Sequence, residues 1–222
     1  MGFIGLLRSI EDLLYEIMAW LVFYPRTLLK VIQHPLQMIE YSTKEQGDAA
    51  TEQYTDTLSP PLFLILTILL AHAFELAMGQ KATVPTGMLG KLFANSEETL
   101  LLYRSLIFSI YPMMYAVAAV KRSNQDLDRN SLKPPFFSQC YLGALFALLI
   151  SAATSFLTFE NLNVKYGALA AVGLSVVIYI GLQSIWLRRQ LSMGVLRAVL
   201  ISVGTFLKAT FFIMLISSVL VL

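Results

Sequence analysis

Residues 60–78 read PPLFLILTILLAHAFELAM and contain one charged side chain, that of Glu75. In helical form the stretch is about 28 Å long, which matches a bilayer hydrocarbon core of about 30 Å. The two leading prolines suit the first turn of a helix, because the N–H that proline lacks has no partner there. Hydrocarbon offers the backbone no other hydrogen-bond partners, so the stretch predicts a membrane-spanning helix.

Four further apolar stretches follow, at about residues 100–120, 136–157, 166–187 and 198–222. The whole chain of 222 residues is 57% hydrophobic and 14% charged. A soluble domain is typically about 45–50% apolar and about 25% charged. The sequence therefore predicts an all-α, polytopic membrane helix bundle over residues 60–222, with about five transmembrane helices, and a separate N-terminal segment over residues 1–59.

The distribution of lysine and arginine predicts the orientation of these spans. Eleven of these residues precede the first span or lie between the second and third or the fourth and fifth, against three in the opposite loops. The pairs Lys121–Arg122 and Arg188–Arg189 are the clearest topology determinants. Basic loops stay in the cytoplasm. We therefore expect a cell inner (plasma) membrane protein with a cytoplasmic N-terminus and a periplasmic or extracytoplasmic C-terminus.

The first residues of the chain predict an amphipathic helix. Arg8, Glu11, Asp12 and Glu16 are spaced to share one face, and apolar side chains fill the rest. This pattern favours a helix in the membrane interface, although its acidic face favours packing against the protein's own basic loops over attraction to anionic lipid. A sixth span is the alternative, and no cleavable signal is evident. Residues 43–59 are predicted to form a solvated linker.

Four ionisable residues fall inside the spans: His72, Glu75, Arg104 and Lys208. Such residues are costly in hydrocarbon, so each is a functional hypothesis. Measured from the cytoplasmic end, His72 lies about 18 Å deep, Glu75 about 22 Å and Arg104 about 24 Å. The matching depths of Glu75 and Arg104 predict a structural ion pair; a gate or substrate contact, and separate snorkelling to the outer headgroups, are the alternatives.

Lys208 is predicted to lie about 15 Å deep, near the bilayer centre. It has three candidate environments: an ion pair with Glu75, carbonyl groups near Pro112, or a wet cavity. A proton or ion pathway through Lys208, His72 and Glu75 is a further hypothesis. A metal site is not expected, because the spans hold no second His/Glu pair.

Small residues in the third and fourth spans predict close helix packing. Gly143, Ala147 and Ser151 lie in the third span, and Gly173 and Gly181 in the fourth. Such residues let helix backbones approach closely in lipid. We expect them to bring these two spans together within one molecule, with self-association as the alternative.

No catalytic motif is present, so we expect no enzymatic activity and no cofactor. The chain lacks a phosphate-binding glycine loop, HExxH and Gly-x-Ser-x-Gly. The single cysteine, Cys140, excludes an intrachain disulfide. The net charge of +2 gives no support for nucleic-acid binding. The expected partners are membrane lipids, a second copy of the chain or another membrane protein.

The layout resembles the Yip family, and more specifically its bacterial Yip-like membrane proteins. The residues that are similar are Phe23-Tyr24-Pro25-Arg26 through His34-Pro35, and Leu58-Ser59-Pro60-Pro61. The eukaryotic family's Asp-Leu-Tyr-Gly-Pro and Gly-Tyr patterns are not found, so no functional residue is carried over. The resemblance implies a five-span, non-enzymatic membrane organiser or partner-binding protein.

The sequence thus favours a multipass protein that acts through protein or lipid contacts, with its N-terminal segment and basic loops facing partners. A small oligomeric ion or solute channel or transporter that uses the intramembrane charges is the first alternative. A membrane-permeabilising effector is the second.

Overall fold

The computed structural model describes residues 3–49, 52–79 and 97–221. Regular secondary structure in these ranges is entirely helical, so the predicted all-α class is confirmed. Lys81 and Lys91, two of the three basic residues in the predicted opposite loops, lie outside the described ranges. The helices are α1 Phe3–Gln33, α2 Pro35–Glu45, α3 Pro60–Ala77, α4 Glu97–Val120, α5 Arg129–Ser155, α6 Leu162–Gln190 and α7 Val195–Val221, with a 3-10 turn at Phe156–Thr158.

Five helices are long and apolar enough to cross a membrane, as the sequence predicts. The candidate spans are Pro60–Ala77, Thr99–Val120, Arg129–Thr158, Leu162–Gln190 and Val195–Ser218. By this criterion α1 is not a candidate span. The chain is therefore a multipass membrane protein by the length and composition of its helices.

The third span begins earlier than expected because of a helix cap. Asp128 Oδ1 accepts hydrogen bonds from the backbone N–H groups of Asn130 and Ser131, each at 2.8 Å. The Ser131 hydroxyl in turn accepts the backbone N–H of Asp128 at 3.1 Å. This capping box starts α5 at Arg129. Pro134 and Pro135 consequently lie inside α5 and not in its first turn.

Helix α5 is the centre of the bundle. In its most apolar stretch of 18 residues, 61% of the residues are buried, against 22–39% in the corresponding stretches of the other four spans. It packs against α2, α3, α4 and α6. Each of the other spans has one face against the bundle and another open to its surroundings.

The ring of Pro112 in α4 packs closely against Gly143 in α5. A Cβ atom built on Gly143 would lie 2.5 Å from Pro112 Cγ. The expectation that this glycine brings α5 to α6 is therefore wrong, because its close neighbour is α4. In α6 the ideal Cβ positions of Gly173 and Gly181 meet nothing within 4 Å. These two glycines lie on open surface, although α5 and α6 do pack together.

The second half of α1, and α2, pack onto the bundle. Val31, Met38 and Leu58 are buried in one cluster with Phe63 and Tyr141. The Tyr141 hydroxyl donates to the Leu58 carbonyl oxygen at 2.8 Å. The segment that ends at Ser59 is thus anchored at its end, and the expectation of a solvated linker is wrong for Thr57 and Leu58, which are buried.

The basic pairs lie at one end of the bundle. Helix α2 crosses this end, where Arg189 Nη1 donates to Glu40 Oε1 at 3.1 Å and the hydroxyls of Thr43 and Ser138 share a hydrogen bond of 3.0 Å. Lys121 and Arg122 directly follow the C-terminus of α4 at the same end, which we call the basic end. The side of a membrane that the basic end faces stays a prediction, namely the cytoplasmic side.

Candidate functional site

A buried polar cluster joins α3 to α4 far from the basic end. Arg104 Nη2 donates to Glu75 Oε2 at 2.6 Å, and Arg104 Nη1 lies 2.7 Å from His72 Nδ1. The side chains of His72, Glu75 and Arg104 are 4%, 12% and 21% exposed. A charged cluster of this kind inside a span is maintained only where its members compensate one another.

The local sequence explains why these side chains meet. His72 and Glu75 are three residues apart, so they share one face of α3. Arg104 precedes the C-terminal residue of α4 by sixteen positions, about 24 Å along the helix axis, and Glu75 follows Pro60 by about 22 Å. The structure brings Glu75 and Arg104 together at the depth that these counts predict, and it adds His72 to the same guanidinium.

The hydrogen-bond roles in the cluster follow from its donors. A guanidinium group only donates hydrogen bonds, so His72 Nδ1 accepts from Arg104. Glu75 is the carboxylate in contact with the positive charge of Arg104, and such a contact suits a site shielded from water. Within the described residues, no three His, Cys, Asp or Glu side chains form a metal-binding group.

Lys208 does not join this cluster. Its side chain is exposed on α7, whereas the next residue, Ala209, is fully buried. Among the described residues no carboxylate forms an ion pair with Lys208, and Glu75 is paired with Arg104. Of the three candidate environments of Lys208, the ion pair with Glu75 is not formed, and the hypothetical pathway through Lys208, His72 and Glu75 is not assembled.

A second polar cluster holds the segment before α3 in place. The sequence did not predict this cluster. Lys30 Nζ donates to Asp56 Oδ2 at 2.7 Å, and Tyr41 Oη donates to Asp56 Oδ1 at 2.7 Å. Arg26 Nη2 lies 3.7 Å from the same carboxylate. The pKa of Asp56 lies below its ordinary value, chiefly because Lys30 donates a hydrogen bond to the carboxylate. No local pattern reveals this cluster, because its members are far apart in sequence.

A polar cavity of about 780 Å³ opens at the basic end. The loop between α4 and α5 forms much of its wall, and α2 and α6 complete it. Asp128 contributes to the wall, and its pKa is lowered because the backbone N–H groups of Ser131 and Asn130 donate to the carboxylate. The other polar lining residues are Thr43, Ser123, Asn124, Gln125, Asp126, Asn130, Ser131, Ser138 and Gln190. The lining suits water and hydrogen-bonding groups.

Two glutamines form an incomplete pair in the core. Gln183 Nε2 donates to Gln139 Oε1, and both side chains are fully buried. Among the described residues, Gln139 Nε2 and Gln183 Oε1 have no hydrogen-bond partner, and the Tyr179 hydroxyl lies close to Gln183. Unpaired buried polar atoms are rare and destabilising, so this pair holds α5 to α6 at a cost in stability.

The comparisons with known proteins identify no relative. No protein-family model, no curated protein and no solved structure matches this chain.

Proposed function

We propose that this multipass protein acts in the inner membrane as a membrane organiser, through lipid contacts of the N-terminal part of α1 in the cytoplasmic leaflet. The observation that carries the proposal is the exposure of residues 7–18, which we call the α1 arm. The arm extends away from the bundle, and its large apolar side chains are uncovered. The large hydrophobic side chains that are at least half exposed are Leu7, Ile10, Leu13, Leu14, Tyr15 and Met18.

The arm does not use the protein's own basic loops as its partner. Every described side chain from Leu7 to Met18 is exposed. In the described ranges, the acidic residues Glu11, Asp12 and Glu16 form no ion pair. The expectation that this acidic face packs on the basic loops is therefore wrong. A helix with so much uncovered apolar surface is stable next to a bilayer that covers it.

The place where α1 contacts α3 supports the proposal that lipid covers the arm. The hydroxyls of Tyr24 and Thr67 are hydrogen-bonded at 3.2 Å. Thr67 lies seven residues into α3, about 10 Å along the helix from Pro60. An interfacial helix buries its apolar face about 5–10 Å into the boundary between headgroups and acyl chains. The contact between α1 and α3 is thus at the depth that an interfacial helix requires.

The two faces of the arm suit this position. Leu7, Ile10, Leu14 and Ile17 recur at helical spacing on one face, while Asp12 and Glu16 lie on the other. Burial of a leucine or isoleucine side chain contributes about 1.5–3 kcal/mol. Because the polar face is mainly acidic, apolar burial rather than charge attraction would hold the arm. This role is in keeping with the non-enzymatic organiser that the Yip-family resemblance implies.

Fluorescence in nanodiscs tests the position of the arm in the full-length protein. We would label Leu14→Cys with an environment-sensitive dye and use Asp12→Cys as the matched control on the opposite face. The native Cys140 is fully buried and does not compete for the label in the folded chain. Brominated lipids should quench the dye at position 14 strongly and at position 12 weakly. Equal weak quenching at both positions would show that the arm lies in water and would overturn the proposal.

The consequence for function is tested by changing the arm alone. Deletion of residues 1–59 would remove buried Val31 and Leu58 and so damage the bundle itself. Leu14→Glu combined with Ile17→Glu leaves that core intact. We expect these changes to abolish the cellular phenotype of the protein, and Ser9→Glu on the polar side to preserve it.

The channel alternative is tested by flux in proteoliposomes. The packed central helix α5 does not favour a pore, and the intramembrane charges Glu75 and Arg104 neutralise each other. We expect no ion or solute flux from the wild-type protein. Flux that disappears in Glu75→Gln and Lys208→Leu would make the channel the better proposal, and leakage of cells on overexpression would favour a permeabilising effector.

A further inference from the structure

Lys208 lies at the midpoint of a membrane-spanning helix and points away from the bundle. It is thirteen residues from each end of α7, about 20 Å along the axis in either direction. Its side chain is exposed, and so are its apolar neighbours Leu207 and Phe211. In a bilayer this position is near the centre of the hydrocarbon core.

Lipid alone is a poor environment for this ammonium group. A lysine at the centre of a spanning helix costs at least about 2.5–3.5 kcal/mol. Snorkelling does not remove this cost, because a stem of four methylene groups is much shorter than the distance of about 15 Å to either interface. Position 208 therefore requires a compensating group at the same depth.

The described spans of the protein do not supply that group. The only carboxylate within the five described spans is that of Glu75, whose side chain is 12% exposed and paired with Arg104. A second copy of the chain would present the same occupied Glu75. Two copies of Lys208 facing each other across a two-fold axis would also repel.

The surface around Lys208 is shaped for a helix. Gly204 precedes Lys208 by four residues and so lies on the same face of α7. An ideal Cβ on Gly204 meets nothing within 4 Å, so a second helix has room to approach the backbone there. Phe211 and Phe212 follow by three and four residues and are both exposed, at 68% and 48%. The face thus combines a close-approach point, apolar contact area and one uncompensated positive charge.

We propose that this face of α7 binds a membrane-spanning helix of a different protein that carries an aspartate or glutamate at mid-bilayer depth. Charge complementarity selects this occupant, because the carboxylate neutralises Lys208 where water cannot. The proposal is independent of the α1 arm, which lies on another part of the molecule.

Carbodiimide coupling tests the proposal in native membranes that contain the full-length protein. Dicyclohexylcarbodiimide enters the bilayer and joins an amine to a carboxylate in contact with it, and the elements of water pass to the reagent as a urea. We expect an amide between Lys208 Nζ and an aspartate or glutamate in a spanning segment of another protein, identified by mass spectrometry. The product should be absent in Lys208→Arg and present in Lys165→Arg, which changes a half-buried lysine in the first turn of α6.

A second measurement uses the partner that the coupling identifies. Lys208→Leu and the substitution of the partner's carboxylate by its amide should each lower co-purification at least tenfold, while Lys208→Arg should retain it. The reactivity of buried Cys140 shows whether each variant is folded. A Lys208 adduct to Glu75 of a second copy would overturn the proposal in favour of a homo-oligomer. Absence of any Lys208 adduct, with Lys165 still reactive, would overturn it in favour of lipid exposure.

Discussion

The guanidinium of Arg104 in α4 lies 2.6 Å from the carboxylate of Glu75 in α3. The same guanidinium contacts His72, so one side chain ties two turns of α3 to α4. A buried ion pair adds little net stability, because both charges lose their hydration, but removal of one partner leaves an uncompensated charge. The pair therefore selects the register between α3 and α4 more than it stabilises the bundle.

Loss of Glu75 alone should destabilise the protein strongly. We expect Glu75→Gln to lower the free energy of unfolding by about 3–5 kcal/mol, because it leaves the charge of Arg104 without a compensating carboxylate in a largely buried site. The double variant Glu75→Leu/Arg104→Leu should lose much less. Cys140 is the single cysteine and is fully buried, so its labelling by a thiol dye during heating in detergent reports unfolding. A double variant as unstable as the single one would contradict this account.

Replacement of Gly143 should force α4 and α5 apart. The new methyl group in Gly143→Ala would meet the Pro112 ring at 2.5 Å, so we expect a loss of about 1–3 kcal/mol. Gly173→Ala is the matched control, since nothing lies within 4 Å of its Cβ position. Thermal unfolding followed through Cys140 should separate the two variants, and equal melting temperatures would show that α4 can shift at no cost.

Replacement of one glutamine of the pair should destabilise the protein more than replacement of both. In Gln183→Met, Gln139 loses its remaining partner, and we expect a cost of about 1–3 kcal/mol. The double variant Gln139→Met/Gln183→Met removes the unpaired atoms Gln139 Nε2 and Gln183 Oε1 together and should be as stable as wild type or more so. Melting temperatures of the single and double variants check this order, and an additive loss would show that both amides find partners.

The Asp56 cluster should respond to acid in a defined direction. Its carboxyl pKa is lowered in the folded state, so the stabilisation is present above the ordinary pKa of about 4 and is lost as pH falls through the folded value. Between pH 6 and 8 we expect no change from this group. Asp56→Asn should cost less than about 1 kcal/mol, because the carboxylate is partly exposed and water screens the ion pair.

Amide hydrogen exchange measures the local stabilisation that Asp56 gives to the segment before α3. Asp56→Asn should speed exchange in residues 52–58, which lead into α3. The control Asp48→Asn, which changes an exposed carboxylate shortly after α2, should not. Equal exchange in the two variants at neutral pH would show that hydrophobic burial of Leu58 alone holds the segment.

The sequence alone was sufficient to predict the five spans and the contact between Glu75 and Arg104. Span length, apolar content and depth are one-dimensional properties, because the bilayer thickness and the helical rise convert residue counts directly into distance. The grouping of Lys121–Arg122 with Arg188–Arg189 at one end follows from the same counting.

Only the tertiary structure decided which face of each helix is buried. The helices α5, α6 and α7 are apolar nearly all round, so no periodicity marks the face that meets the bundle. Close packing sets their rotation instead: it seats Pro112 on Gly143, leaves Gly173 open, and turns Lys208 outward beside the buried Ala209. The contact of Lys30 with Asp56 likewise depends on the path of the chain between α2 and α3, which no local pattern encodes.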